Sequence, residues 1–123
     1  MTARGAGVDL IEIARVERAL ERRPGLAERM FTQAELEASR ARARPGQHLA
    51  ARFAAKEAAL KALGIGGLRL HEVEVQGGRD TAPSLRLSGS AERVAAERGV
   101  ELDVSLTHSR DLAAAVVVVR PSA

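Results

Sequence analysis

The sequence predicts an α+β domain with the element order β-α-α-α-β-β-α-β-β, and three features carry that reading. Residues 47–63 are rich in alanine and leucine and stop at Gly64, which makes this the strongest helix in the chain. Residues 69–76 and 84–88 flank a glycine-bearing turn at 77–80, the pattern of a hairpin. Residues 112–119 form a nearly continuous apolar run, as expected of a strand covered on both faces.

The remaining elements follow in order. A first strand over 5–13 passes directly into a helix in which Arg15, Val16, Ala19 and Leu20 recur at helical spacing, and Pro24 ends it. A short helical turn over 26–30 comes next. Thr32 and Glu35 then make a capping box that opens a helix to about residue 42, and 43–46 breaks it. Residues 64–67 form a loop after the long helix. Ser90 caps a helix that ends at Gly99, and strands over 102–107 and 112–119 enclose a turn with His108, Arg110 and Asp111. No repeat or linker interrupts the chain, so residues 1–123 read as one domain.

Composition narrows the function. No apolar run approaches the ~18–20 residues of a membrane span, and Asp9 and Glu12 interrupt any signal-peptide core, so a cytoplasmic location without a membrane is expected. The absence of cysteine excludes disulfides, zinc-thiolate sites and thiol nucleophiles. Net charge is +3, carried by arginine with Lys56 and Lys61 as the sole lysines, and arginine forks suit phosphate and carboxylate partners. Phe31 and Phe53 are the only aromatics, too few for the stacking platform a single-stranded nucleic acid wants.

Charges on the long helix need a reason, because its circumference is otherwise alanine around a stripe of Leu49, Phe53, Leu60 and Leu63. Glu57 and Lys61 stand four apart and read either as an i,i+4 ion pair or as a metal-binding carboxylate beside an ammonium that meets phosphate. Asp9 is either the N-cap of a capping box with Glu12 or a second carboxylate for a hard cation, magnesium being the ion that such a pair suits. His108 is either a surface residue of a turn or a site residue. Arg42, Arg44 and Arg52 form either a solvated basic rim or a phosphate clamp.

Taken in order, the segments 7–13, 53–58 (Phe-Ala-Ala-Lys-Glu-Ala), 61–64 and 104–108 resemble the holo-acyl-carrier-protein synthases, the small single-domain phosphopantetheinyl transferases. Residues 27–36 and 112–118 fit as well, so the likeness spans nearly the whole chain. The resemblance implies transfer of the 4'-phosphopantetheine group of coenzyme A to a serine of an acyl carrier protein, releasing adenosine 3',5'-bisphosphate. It implies a homotrimer with sites between adjacent subunits. By position, Asp9 and Glu57 would hold Mg2+ and Lys61 would neutralise the pyrophosphate; for the transfer itself, Glu57, directly or through a metal-bound water, would accept the serine proton. Arg44, Arg52, Gly64 and His108 would contact coenzyme A, and Arg15, with Arg18 and Arg22, would meet the acidic carrier protein.

Departures from the family pattern touch the coenzyme A end. The loop after Gly64 is short, Ala43 and Pro45 replace basic residues, and Ala51 stands where glycine is common. Two other classes compete with the enzyme reading. A basic binding domain for nucleic acid or an acidic protein would need only the arginines, and a structural trimer module would use buried charge only to set register.

Overall fold

The computed structural model describes residues 5–66 and 69–123. Among the described residues no helix is long and apolar enough to cross a membrane. β1 (Ala6–Glu12) runs into α1 (Ile13–Arg22), followed by α2 (Leu26–Met30), α3 (Gln33–Arg40) and the long α4 (Pro45–Leu63). A 3-10 turn (Leu70–Glu72) leads into β2 (Val73–Gln76), and then come β3 (Ser84–Leu87), α5 (Gly89–Arg98), β4 (Val100–His108) and β5 (Leu112–Pro121). The order of helices and strands is the one the sequence predicts, except that the short helical turn expected over 26–30 stands as a helix of its own, α2.

The core forms where α4 lies on an antiparallel sheet of order β1-β5-β4. Six alanines of α4 (50, 51, 54, 55, 58 and 59) are buried, and such small side chains let the helix sit close to the strands. Gly7 makes the tightest approach: a Cβ there would fall 1.8 Å from the Ala58 carbonyl oxygen. Because side chains alternate along a strand, Gly7 fixes the rest of β1. Gly7, Asp9 and Ile11 turn toward the helix, while Val8 and Leu10 point outward and are 65% and 64% exposed.

A second pairing, β2 with β3, is held to α4 by a buried ion pair. Lys56 Nζ donates to Glu35 Oε1 and, at 2.8 Å, to the Val73 carbonyl. Glu35 Oε2 accepts the Val75 N–H at 2.8 Å, and both side chains are fully shielded from water. Glu35 also closes the capping box with Thr32, so one carboxylate satisfies the start of α3 and pins α3, α4 and β2 together.

Several local expectations change in the folded chain. Asp9 is not a cap but a strand residue. Glu12 occupies the N-cap of α1 without a side-chain hydrogen bond. α4 begins at Pro45, inside the expected break, because proline at the first helical position loses no needed N–H. The strand expected over 69–76 is half 3-10 turn. Ser88, not Ser90, precedes α5; Ser90 instead donates to Glu72 Oε1 at 2.6 Å. Gly67, in the loop expected over 64–67, lies outside the described residues.

Within one chain, residues 112–119 are covered on one face only. Ala113, Ala115 and Val117 are buried under α4, but Leu112, Val116 and Val118 face outward at 40–49% exposure. With Val8 and Leu10 they form an apolar strip across β1 and β5 that one chain leaves open.

Candidate active site

β1 and α4 bring the first group of expected residues together. Asp9, Glu57, Arg15 and Phe53 line a hollow of about 340 Å³. Lys61 sits at its edge, its Nζ donating to Asp9 Oδ1 at 3.0 Å and to the Val8 carbonyl at 3.1 Å. The Glu57–Lys61 pair expected from spacing is therefore not made: β1 passes close enough for Asp9 to take the ammonium instead. Partial burial, and then the neighbouring Asp9 carboxylate, push the Glu57 pKa up, while Lys61 opposes the shift. Past Arg15 and Glu57 the hollow continues as a trough of about 940 Å³ floored by Leu26, Met30, Phe53 and Leu70.

A second group gathers at the N-terminal end of α4. Arg42, Arg44, His48, Arg52 and His108 line a cleft of about 460 Å³. Arg44 is held in a fork by Glu17, at 3.2 Å from Nε and 2.9 Å from Nη2, and its Nη1 donates to the Arg110 carbonyl at 2.6 Å. Glu17 accordingly raises the Arg44 pKa. Arg52 is 7% exposed and reaches the β2–β3 turn, where its Nη2 donates to the Gly77 carbonyl at 2.8 Å. Among the described residues its Nε has no partner.

These two groups do not meet within one chain. At ~100° per residue, Arg52 and Glu57 diverge by ~140° around α4, and Arg52 and Lys61 by ~180°. The sheet separates them again, with Asp9 on β1 at one edge and His108 on β4 at the other. No residue lines both hollows. Carboxylates with an ammonium stand on one side of the helix and an arginine cleft on the other, and both arrangements have the chemistry to meet phosphate.

Residues 5–117 match the family model of the 4'-phosphopantetheinyl transferase superfamily. The chain belongs to this superfamily. The holo-[acyl-carrier-protein] synthase of Moorella thermoacetica is 50% identical, over 95% of this chain and 94% of its own length. That of Clavibacter michiganensis subsp. michiganensis is 46% identical, over 94% of this chain and 93% of its own. Among solved structures, the Chronobacterium ammoniagenes ACPS-CoA complex is similar with a TM-score of 0.86 at 30% identity, covering 98% of this chain and 99% of that one.

In this phosphopantetheinyl transferase the remaining expected residues fall as follows. Arg15, Arg18 and Arg22 are exposed on α1, and Arg15 alone reaches the carboxylate hollow. Gly64 caps α4 at its far end with φ 69°, away from Arg44 and Arg52. His48 is the cleft residue that sequence reasoning missed. Its signal is a histidine one turn before Arg52 on an otherwise alanine-rich buried helix. Burial, then Arg52, Arg42 and His108, hold its pKa down to about 4.

Proposed function

We infer that the chain is a holo-[acyl-carrier-protein] synthase. It transfers the 4'-phosphopantetheine group of coenzyme A to a serine of an apo acyl carrier protein and releases adenosine 3',5'-bisphosphate. Family membership over nearly the whole chain supports the reaction. The observation that carries the assignment of residues is the splitting of the site between opposite sides of α4.

Phosphoryl transfer needs positioning and charge neutralisation more than covalent chemistry. The arginine cleft, with Arg44, Arg52 and His108, receives the 3'-phosphate end of coenzyme A. Lys61 faces the pyrophosphate, and its exposed bond to Asp9 is cheap to exchange for a phosphate oxygen. Glu57 takes the proton of the attacking serine. Its upward shift suits it to that role, since a base works best with a pKa near the working pH.

Asp9 and Glu57 also fit a magnesium ion. They are hard oxygen donors whose mutual repulsion Lys61 only partly offsets at Glu57. Among the described residues no cluster of three metal-ligating side chains exists, and magnesium wants only one or two carboxylates beside substrate phosphate. Bound there, it would neutralise charge on the pyrophosphate.

Because one chain separates the two half-sites, the complete site lies between copies, with the carboxylates of one facing the arginine cleft of the next. The open apolar strip of Val8, Leu10, Val116 and Val118 is the surface along which a homotrimer closes. The cytoplasmic location expected from the sequence belongs to the same reading.

The test is mass spectrometry of an apo carrier protein incubated with the enzyme, coenzyme A and magnesium. A gain of one phosphopantetheine group on serine is expected. An unmodified carrier under these conditions overturns the reading.

A further inference from the structure

The arginine cleft contains a histidine for which the mechanism above has no use. His48 stands near the start of α4 and forms part of the cleft wall together with Arg42, Arg52 and His108. It is 8% exposed, and its Nε2 is shielded from water without a hydrogen-bond partner. Arg52, one turn along, repeats the pattern with its Nε. Buried polar nitrogens are almost always paired, so two without partners beside one hollow point to an acceptor that the protein itself does not supply.

The charges around His48 say which acceptor. Facing it are Arg52 on α4, Arg42 from the segment before α4, and His108 at the end of β4. No carboxylate offsets them: Glu17 of α1 holds Arg44, Asp111 acts on Arg44, and Glu35 of α3 is bonded to Lys56. Burial first, and then the Arg52 and Arg42 guanidiniums, hold the imidazole neutral. A phosphate monoester entering the cleft reverses the local field and offers oxygens to ring nitrogens.

We propose that His48 is a further ligand of the phosphate monoester held in the arginine cleft, and that its imidazole takes up one proton from solvent as that anion enters. The proposal rests on the reading that the cleft receives the 3'-phosphate end of coenzyme A. It adds a proton-coupled contact to that end of the site, so that coenzyme A binding tightens as pH falls through the titration of the bound imidazole. The proton comes from water, imidazole becomes imidazolium, and no covalent bond is made.

The experiment is calorimetric titration of the full chain with adenosine 3',5'-bisphosphate, in buffers of different ionisation enthalpy, for the wild type and His48→Phe. Loss of one charge-assisted hydrogen bond should weaken the variant about tenfold near pH 6 but no more than about twofold near pH 8.5. The wild type should also take up more protons per bound anion than the variant. A loss that is the same at both pH values, or equal proton uptake, overturns the proposal and leaves His48 as a packed neutral side chain. Should the variant fold poorly, NMR of the wild-type imidazole decides. Its titration midpoint should rise from about 4 to about 7 on adding adenosine 3',5'-bisphosphate, the shift that a tenfold effect near pH 6 requires, and an unmoved midpoint overturns the proposal. Failure of adenosine 3',5'-bisphosphate to bind the wild type at all would instead defeat the coenzyme A reading, and this proposal with it.

Discussion

Lys61 is bonded to Asp9 across the β1–α4 interface, at 3.0 Å, and not to Glu57 one turn before it on the same helix. The contact depends on Gly7, because any side chain there would push β1 off the Ala58 carbonyl and carry Asp9 away with it. Glu57 is thereby left half-buried, beside a second carboxylate, without a cation in contact.

That arrangement predicts a trade of stability for function at Glu57. A raised carboxyl pKa means that the folded state holds its proton more tightly than the unfolded state. The resulting cost is absent below the unfolded pKa and fully present above the folded one. Glu57→Gln should therefore melt at a higher temperature than the wild type at neutral pH without magnesium, and should be inactive. Asp9→Ala and Glu57→Ala should each lower the rate by about 10²–10³ while circular dichroism stays unchanged. Full turnover in excess chelator would remove the metal from the scheme.

The proposed division of the site between copies predicts complementation. Glu57→Ala and Arg44→Ala damage opposite half-sites, so each should be inactive alone. Random co-assembly in a cyclic trimer leaves about a quarter of the interfaces intact, and the mixture should regain about that share of the wild-type rate. Light scattering at micromolar concentration should give three copies. A monomer with full activity contradicts the shared site.

The exposed row on α1 predicts carrier docking by charge. Arg15→Glu should raise the KM for carrier protein about tenfold or more and change the KM for coenzyme A little. Added salt should weaken the wild type in the same direction, since exposed charges are screened beyond ~8–10 Å at physiological ionic strength. Steady-state kinetics with each substrate varied, at two ionic strengths, gives both values. An unchanged carrier KM would move docking to another surface.

The buried Lys56–Glu35 pair predicts a stability effect of a different size. Burial lowers the Lys56 pKa, and Glu35 opposes that shift. Lys56→Met leaves a shielded carboxylate without its cation and should cost about 3–5 kcal/mol in urea unfolding. Lys56→Met combined with Glu35→Leu should recover much of that loss. Equal losses in the single and double variants would show that packing rather than charge governs the position.

Much of the site was legible before folding because its residues sit in a segment whose composition is unusual. Glu57 and Lys61 stand out on an alanine-rich helix, and Thr32 with Glu35 announces a capping box that does form. What misled was short-range spacing. Spacing alone allowed an Asp9–Glu12 cap and a Glu57–Lys61 pair, and neither is made. Local geometry offers such pairs, but a strand crossing a helix offers competing partners that sequence distance does not encode.

By itself, the sequence determined the order of helices and strands, the buried helix with its charged exceptions, and the family to which the chain belongs. Those follow from periodicity, turn residues and motif spacing, which are properties of neighbours along the chain. Tertiary structure alone decided that Lys61 serves Asp9, that Glu35 reaches Lys56 and β2, and that His48 lies unpartnered in the arginine cleft. It also decided that the carboxylates and the cleft stand on opposite sides of α4, since helix rotation and strand order become positions in space only when the chain packs.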